Sequence, residues 1–339
     1  MILVLNCGSQ SIKWKLFRKK DLKLLEEDEK TVFNSNNFEE ILFREVNELK
    51  NKYFDKIQKI GHRVVHGGEK FRKPTKITKQ VLKELEKFNK LAPLHNPFNI
   101  LGIKVAKKVF PKVSQIAVFD TEFYKDLPKK AYIYPLPEEI RKKHKIRRFG
   151  FHGISHEYVA KEAAKRIKRP FKKLKIITCH LGGGSSITAI KNGKAIDTSM
   201  GFTPMEGLIM MTRPGDIDAG IVLELVKDFS LKKTDKILNF QSGLKGICGK
   251  EKMLDVLKKA KQGNKKAKLA LDLFAYRIQK YIGSYFTILG GCDLLIFTGT
   301  IGFFSAKIRN MICRDLTILK NTKILAIKTD EEFSIAQKI

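Results

Sequence analysis

The chain has 339 residues, 43% of them hydrophobic, and its 67 lysines and arginines against 35 acidic residues give a formal net charge of +32. At roughly 150 residues per domain, this length predicts about two domains, each with a sizeable core. The basic residues are spread along the whole chain and are not interleaved with aromatic residues, so we expect a solvated surface that attracts anionic substrates and no nucleic-acid-binding groove.

Neither export nor a membrane span is indicated. The start MILVLNCGSQ has no basic leader, and no stretch of about 18 apolar residues occurs, so we expect a cytoplasmic protein with no membrane partner. The cysteines are scattered and form no Cys-x-x-Cys pair, which predicts neither a disulfide framework nor a zinc site. They are Cys7, Cys179, Cys248, Cys292 and Cys313.

Two hairpins with similar turns stand at the start and in the middle of the chain. Apolar and polar residues alternate over 1–17 around Gly8, which predicts two strands joined by a turn. The pattern recurs over 176–190 around three glycines, followed by a turn at Asn192-Gly193 and a further strand. Either turn alone is more often an ordinary tight hairpin, but two equivalent copies predict a duplicated architecture.

The remaining elements alternate between strands and helices, which predicts an α/β fold. A long helix at 264–289 is expected to stop at Gly290-Gly291, as helices often do at glycine. An acidic start at 329–332 predicts a short closing helix. Strands are predicted at 60–65, 116–119, 294–298 and 323–328, and helices at 79–91, 97–109 and 155–166. We place one domain at 1–147, completed by 325–339, and the other at 148–324.

Eight motifs, in order along nearly the whole chain, carry a resemblance to one family. They are VLNCGSQSIKWKL (4–16), GHRVVHGGEKF (61–71), APLHNPFNILGI (92–103), AVFDTEF (117–123), RRFGFHGISHEYVA (147–160), ITCHLGGGSSITAI (177–190), TSMGFTPMEGL (198–208) and TRPGDID (212–218). In these motifs the chain resembles the acetate kinases of the acetokinase family, within the actin-like ATPase and sugar-kinase superfamily.

The resemblance implies a fold and an activity. The fold is a duplicated actin-like (ribonuclease H-like) two-domain α/β fold with its active site in the interdomain cleft. The activity is reversible, Mg²⁺-dependent phosphoryl transfer from ATP to acetate, which gives acetyl phosphate and ADP by direct in-line transfer. A homodimer is implied as well.

The resemblance also implies catalytic residues. Arg63 matches the family arginine that holds the carboxylate, and Arg213 matches the one that holds the transferring phosphoryl group. His152 matches the histidine that stabilises the phosphoryl in flight, and Asp120 matches a catalytic, metal-associated acid. Guanidinium groups suit these roles because they bind carboxylate and phosphoryl oxygens through two parallel hydrogen bonds.

Metal and substrate positions follow from the same resemblance. Asn6 and Glu331 are expected at Mg²⁺, or Mn²⁺ in its place, beside Asp120. A small apolar pocket for the methyl group of acetate or propionate is expected from Val65, Leu94, Phe151 and Pro204. The nucleotide phosphates are expected to contact Ser9, Ser11, Lys13, His180, Gly182, Gly183, Gly184, Thr300 and Gly302, since glycine turns expose backbone N–H groups to anions.

The chain departs from the family pattern where the nucleotide is expected. Gly183 stands where most relatives have asparagine, and the run 298–304 reads TGTIGFF in place of a GGIGEN-like motif. An Asp-x-Arg pair after 242–249 is missing, and the segments before residue 59 and at 316–323 are shorter than usual. Three interpretations stay open: ATP in a rearranged pocket, pyrophosphate as the donor, and a degenerate non-catalytic protein.

Overall fold

A computed structural model of the chain describes residues 1–9, 11–32, 37–53 and 55–339. Residue 10, in the first predicted turn, lies outside the described residues. Contacts between Cα atoms divide the chain into two units. The first unit comprises Met1–Lys125, Phe151–Tyr158 and Asp330–Ile339, and the second comprises Asp126–Gly150 and Val159–Thr329.

The first unit is built on a mixed sheet of six strands among the described residues, in the order β3-β2-β1-β4-β6-β5. Strands β1 to β3 are antiparallel neighbours, β1, β4 and β6 run parallel, and β5 pairs antiparallel with β6. The strands are β1 (Ile2–Cys7), β2 (Ser11–Phe17), β3 (Leu24–Thr31), β4 (Lys59–Val64), β5 (Thr75–Lys76) and β6 (Ser114–Phe119).

Helices cover both faces of this sheet. Leu3 and Leu5 of β1 pack with α1 and α3, whereas Ile2 and Val4 pack with α14, because successive strand residues point to opposite faces. The helices, numbered along the whole chain, are α1 (Phe38–Tyr53), α2 (Lys79–Glu86), α3 (Asn96–Val109), the start of α6 (Gly153–Arg166) and α14 (Glu331–Gln337).

The second unit repeats the plan of the first. Its five described strands have the order β11-β10-β7-β8-β9, with an antiparallel β7-β8-β9 hairpin series followed by parallel β10 and β11. This order matches β6-β4-β1-β2-β3 in the first unit, which confirms the predicted duplication. The strands are β7 (Lys175–Leu181), β8 (Ser185–Lys191), β9 (Lys194–Thr198), β10 (Leu294–Thr298) and β11 (Lys323–Ala326).

The long helix α11 forms the centre of the second core. Asn264 accepts a hydrogen bond from the backbone N–H of Ala267, and left-handed Gly290 ends the helix, as the sequence predicts. The other helices of the second unit are α4 (Lys129–Tyr132), α5 (Glu138–His144), the end of α6, α7 (Ala219–Asp228), α8 (Leu231–Lys236), α9 (Gly243–Cys248), α10 (Met253–Lys261), α11 (Lys265–Leu289), α12 (Gly299–Phe304) and α13 (Ala306–Cys313).

Residues 126–150 group with the second unit because their polar contacts lie there. Tyr134 and Arg148 both bond to Glu206, and the backbone N–H groups of Phe149 and Gly150 point at the carbonyl of Gly201. This division differs from the limits predicted at residues 147 and 325. Among the described residues, no helix combines the length and apolar character needed to cross a membrane.

Candidate active site

Three adjacent parallel strands of the first sheet bring polar side chains to one edge. Asn6 lies near the end of β1, Arg63 near the end of β4, and Asp120 directly follows β6. The carboxyl ends of parallel strands meet at the same edge, which is where ligands bind in open α/β sheets. Glu331, the first residue of α14, joins them there.

Arg63 is the centre of this group, which we call the Arg63 cluster (Asn6, Arg63, Asp120 and Glu331). Its Nε and NH2 atoms donate to the two carboxylate oxygens of Asp120 at 3.2 and 2.7 Å. Its NH1 atom lies 3.0 Å from Oε2 of Glu331 and donates to Oδ1 of Asn6 at 3.4 Å. The guanidinium is therefore already bound on three sides by oxygen atoms of this chain.

Burial and charge change the protonation of the cluster. Burial raises the pKa of Glu331 to about 7, because the nearby Asp120 and Glu332 carboxylates add to desolvation and outweigh Arg63. Burial by itself lowers the pKa of Arg63, but the Asp120 and Glu331 carboxylates raise that pKa by more. The guanidinium therefore stays charged. The cluster thus holds more buried negative charge than one arginine neutralises.

The donor atoms of this cluster fit a hard divalent cation. Carboxylate oxygens of Asp120 and Glu331 and the amide oxygen of Asn6 are ligands that Mg²⁺ and Mn²⁺ prefer. Within the described ranges, however, no group of three or more His, Cys, Asp or Glu residues is arranged as a metal cage. Few protein ligands are sufficient for Mg²⁺, which usually keeps several waters and binds substrate phosphates.

Further contacts fix α14, and sequence analysis missed them. The amide nitrogen of Asn6 donates to Glu332 at 2.6 Å and to Glu331 at 3.3 Å. Asp330 caps α14 through the N–H of Phe333 at 2.9 Å and pairs with Lys15 at 2.9 Å. The acidic run at 330–332 indicates a helix start in the sequence. The hydrogen bond between Glu332 and Asn6 becomes apparent only in the folded structure.

The residue after His152 lies against the Asp120 backbone. A Cβ atom on Gly153, the residue after His152, would lie 2.1 Å from the carbonyl oxygen of Asp120, so only glycine allows this approach. His152 itself adopts a left-handed backbone with φ of 55° and precedes α6. The Tyr124 hydroxyl donates to the carbonyl of Phe151 at 2.8 Å, which holds the same segment.

Three of the four predicted pocket residues belong to the first unit. Val65 and Phe151 are buried, and Leu94 is half-buried on the turn before α3. The backbone N–H of Val65 donates to Oδ1 of Asn99 at 3.0 Å, which fixes the chain just after Arg63. Pro204 belongs to the second unit and is described with Arg213 below.

The first hairpin turn holds Ser9 and Ser11 close to the backbone of Gly8, whose N–H donates to the carbonyl of Ser11 at 2.8 Å. Lys13 lies on β2, where its Nζ pairs with Glu29 of β3 at 2.8 Å. A phosphate at this turn therefore competes with Glu29 for the ammonium group of Lys13.

The second hairpin turn brings three predicted phosphate-binding residues together. A Cβ atom on Gly182 would lie 3.5 Å from Oγ1 of Thr300 and 3.9 Å from Nε2 of His180. Nothing lies within 4 Å of the corresponding position on Gly183, so the space beside this glycine is open. The carbonyl of Gly183 accepts from the N–H of Met211 at 3.2 Å.

The run with two phenylalanines forms α12, directly after β10. The rings of Phe303 and Phe304 meet edge to face with centroids 4.8 Å apart, and Phe304 is 69% exposed. Arg309 donates to the carbonyls of Gly302 and Phe303 at 2.9 and 2.6 Å. Arg309 therefore satisfies two carbonyls in the last turn of the helix that contains Gly302.

Arg213 has surroundings unlike those of Arg63. It lies half-buried on the connection between β9 and α7, and its NH1 atom donates to the carbonyl of Pro204 at 3.3 Å. Burial lowers its pKa, and among the described residues no carboxylate forms an ion pair with it. A partly desolvated guanidinium with no counterion is a ready site for an anion.

Comparison with known proteins agrees with this geometry. A family profile described as the Acetokinase family matches residues 18–338. The chain is 45% identical to the acetate kinase of Helicobacter acinonychis over 99% of this chain and 97% of that protein, and 45% identical to the acetate kinase of Dictyoglomus thermophilum over 98% and 89%.

Solved structures agree as well. A propionate kinase from Francisella tularensis matches with a TM-score of 0.92 at 38% identity, covering 99% of this chain and 98% of that one. The acetate kinase of Porphyromonas gingivalis matches with a TM-score of 0.88 at 34% identity and the same coverage. These matches confirm the predicted duplicated actin-like fold, and the chain belongs to the acetokinase family.

Proposed function

We propose that the protein is an acetate kinase, which transfers a phosphoryl group reversibly from ATP to acetate with Mg²⁺ and gives acetyl phosphate and ADP. Membership of the acetokinase family and the names of its relatives support this function. The structural observation that carries the proposal is Arg213, a partly buried cation with no carboxylate partner among the described residues.

Arg213 binds the phosphoryl group as it moves. Phosphoryl transfer depends mainly on positioning and on stabilising the charge of the equatorial oxygens. A guanidinium that no protein anion neutralises keeps its full charge for those oxygens. His152 adds a hydrogen-bond donor to the same group.

Arg63 binds the acetate carboxylate through the N–H of its NH2 atom that Asp120, Glu331 and Asn6 do not use. The carboxylate oxygen attacks the γ-phosphorus, a new P–O bond forms, and the bond to the bridging oxygen breaks. The electron pair leaves on ADP, so no proton transfer and no covalent enzyme intermediate are needed. Asp120 orients Arg63 by its two-point contact.

Bound Mg²⁺, or Mn²⁺, supplies positive charge to the β- and γ-phosphate oxygens. Asp120, Glu331 and the amide oxygen of Asn6 are the groups that would hold it. The raised pKa of Glu331 supports this role, because a buried carboxylate that prefers its proton lacks a sufficient positive partner.

Val65, Leu94, Phe151 and Pro204 are all apolar, which suits the methyl group of a small acid. Acetate is the substrate that we propose. Propionate is the next best, because one methylene group changes binding by only about 1–3 kcal/mol.

ATP is the proposed donor. Its phosphates lie at the turns that carry Ser9, Ser11, Lys13, His180, Gly182, Gly183 and Gly184, and at Thr300 and Gly302 of α12. The exposed ring of Phe304 offers a face on which a purine can stack, in place of the polar residues that relatives carry.

The test is acyl-hydroxamate formation from acetate and Mg²⁺, run in parallel with ATP and with pyrophosphate. Product with ATP that is lost in Arg213→Ala, while thermal unfolding of the variant stays cooperative, is the expected result. Product with pyrophosphate but not with ATP would mean that pyrophosphate, not ATP, is the phosphoryl donor. No product with either would favour a protein that has kept the fold and lost the activity.

We also propose a homodimer in the cytoplasm. None of the α7 residues is buried, and Ile221, Leu223 and Val226 are 49, 64 and 38% exposed, which suits a face covered by a second copy. All five cysteines are free thiols, as a reducing compartment allows. Light scattering after size exclusion should give twice the 38.8 kDa chain mass, and Leu223→Lys should shift it toward the monomer.

A further inference from the structure

The segment 199–216 carries both Pro204 and Arg213, yet it forms no helix or strand in this fully described stretch. Backbone hydrogen bonds fix it at several points, such as the N–H of Met211 to the carbonyl of Gly183 and the N–H of Ser242 to the carbonyl of Thr212, and side-chain contacts add to them. Two carboxylates within it, Glu206 and Asp216, have such contacts and have no part in the proposed chemistry.

Glu206 is held by two residues from a distant part of the chain. Arg148 donates from NH2 to Oε1 of Glu206, and the Tyr134 hydroxyl donates to Oε2. The same hydroxyl accepts the backbone N–H of Phe202 at 2.9 Å. Both oxygens of the carboxylate are thus occupied, and the backbone two residues before Pro204 is bonded to the same network.

The backbone at Gly201 lies directly against this carboxylate. A Cβ atom on Gly201 would lie 1.7 Å from Oε2 of Glu206 and 2.1 Å from the Tyr134 hydroxyl. Arg148 also donates from NH1 to the carbonyls of Thr198 and Ser199, both at 3.1 Å. It therefore joins the end of β9 at Thr198 to the carboxylate of Glu206, eight residues further along the chain.

The charges in this network depend on each other. Burial by itself lowers the pKa of Arg148, but the Glu206 carboxylate raises that pKa above its usual range, so the guanidinium stays charged. Burial and Glu206 raise the pKa of the Tyr134 hydroxyl, which keeps it a donor. Removing one member of a buried pair leaves the other charge uncompensated.

Asp216, the last residue of the segment 199–216, makes the second set of side-chain contacts. It accepts the backbone N–H of Gly207 at 2.8 Å and the Tyr281 hydroxyl at 2.8 Å. Gly207 directly follows Glu206, so the two carboxylates fix neighbouring points of the backbone. Pro204 and Arg213 lie on either side of those points.

We propose that Glu206 is a positioning residue for phosphoryl transfer: through Arg148 and Tyr134 it holds the segment that carries Pro204 and Arg213. The inference rests on the proposed function for its kinetic consequence. A displacement of about 1 Å in a positioned group can cost a hundredfold in rate, although the displaced residue keeps its chemistry.

Three variants test the proposal. Glu206→Gln keeps the shape and removes the charge, and we expect kcat with ATP and acetate to fall on the order of tenfold to a hundredfold, with a higher KM for acetate. Tyr134→Phe removes one hydroxyl and should cause a smaller loss of the same kind. Asp293→Asn is the matched control, since Asp293 pairs with Arg169 at 3.0 Å away from this segment, and it should keep wild-type kinetics.

A double-mutant cycle separates positioning from general destabilisation. In an Arg213→Lys background, Glu206→Gln should reduce kcat by a clearly smaller factor than it does in the wild type. The reason is that both substitutions act through the guanidinium group of Arg213. Equal losses in the two backgrounds would overturn the proposal, as would wild-type kinetics in Glu206→Gln.

Hydrogen exchange gives a readout independent of activity. Backbone amides at 199–216 should exchange faster in Glu206→Gln than in the wild type, and should be unchanged in Asp293→Asn. Unchanged exchange in Glu206→Gln would overturn the proposal. An inactive wild type would instead contradict the proposed function, and the exchange measurement would still decide whether Glu206 holds the segment.

Discussion

Arg63 and Arg213 carry the same group in opposite electrostatic surroundings. Arg63 is 18% exposed and bonded to the Asp120 and Glu331 carboxylates, whereas Arg213 has no carboxylate partner in the described part of the chain. A paired buried charge supports its partners, and an unpaired one costs free energy that binding of an anion recovers. The two residues should therefore separate stability from activity.

Arg63→Met and Arg213→Met test this difference. Arg63→Met leaves two buried carboxylates without a cation, so we expect the free energy of unfolding to fall by about 3 kcal/mol. Arg213→Met removes an uncompensated charge, so stability should be unchanged or higher while acetyl phosphate formation is lost. Denaturant titration at fixed pH measures both. Equal destabilisation in the two variants would contradict the assignment of Arg213 as an unpaired cation.

His62 predicts a pH dependence of stability. Burial lowers its pKa from 6.5 to about 4, and the side-chain oxygen of Gln115 bonds to its ring at 2.9 Å. The unfolded chain takes up this proton near pH 6.5 and the folded chain near pH 4, so proton binding favours unfolding. Stability should thus be lost as the pH falls through this window, by up to about 3 kcal/mol.

The comparison of wild type with His62→Gln isolates that contribution. The variant should lose less stability than the wild type between pH 7 and pH 4 in denaturant titrations. His144→Gln, at an exposed histidine, is the matched control and should keep the wild-type profile. A His62→Gln profile parallel to that of the wild type would be inconsistent with a buried neutral imidazole.

At the scale of helices and strands, the correct sequence predictions came from residues that lie within or directly beside the element they predict. The cap at Asn264 and the stop at Gly290 lie at the ends of α11, and the glycine turns lie inside their own hairpins. Strand β3 was not predicted, because its sequence LLEEDEKT is acidic and it pairs through Lys13 and Lys15 of β2. Its stability comes from its neighbour, which its own residues do not reveal.

The candidate site shows the same limit. Arg63, Asp120 and Arg213 could be named because they stand inside motifs that resemble the family. The contacts of Glu206 could not be predicted, since Arg148 and Tyr134 lie 58 and 72 residues away in the chain. The helix predicted at 79–91 ends at Glu86, where the N–H of Lys87 turns back to the carbonyls of Glu84 and Leu85.

Two helix glycines give opposite expectations for the same substitution. Gly153→Ala places a Cβ atom 2.1 Å from the Asp120 carbonyl, so we expect a loss of about 3 kcal/mol, typical of severe overpacking. Gly283→Ala, inside α11, meets nothing within 4 Å and should raise stability by about 0.5–1 kcal/mol. Thermal unfolding of both variants is the measurement, and a neutral Gly153→Ala would show that α6 does not approach Asp120 so closely.

At the scale of the whole molecule, the net charge of +32 is large and mostly solvated. Many lysines form short ion pairs, such as Lys15 with Glu27 and Lys52 with Glu26, but acids are too few to pair them all. Like charges on one surface repel each other and destabilise the folded chain, and dissolved salt screens this repulsion.

Added salt should therefore stabilise the protein. Between roughly 10 and 300 mM NaCl we expect the free energy of unfolding to rise by on the order of 1 kcal/mol, the energy of one close charge pair in water. Sucrose at matched osmolality is the control for effects other than screening. A fall in stability over this range would mean that attractive pairs dominate the surface.

The contribution of α14 to the first sheet has a consequence for biosynthesis. Residues 330–339 pack on Ile2 and Val4 and complete the Arg63 cluster, yet the ribosome makes them after all of the second unit. A nascent chain can therefore fold its second sheet while Arg63 still lacks Glu331. The Arg63 cluster is therefore completed last, and a chain that stops before α14 lacks the Glu331 carboxylate that pairs with Arg63.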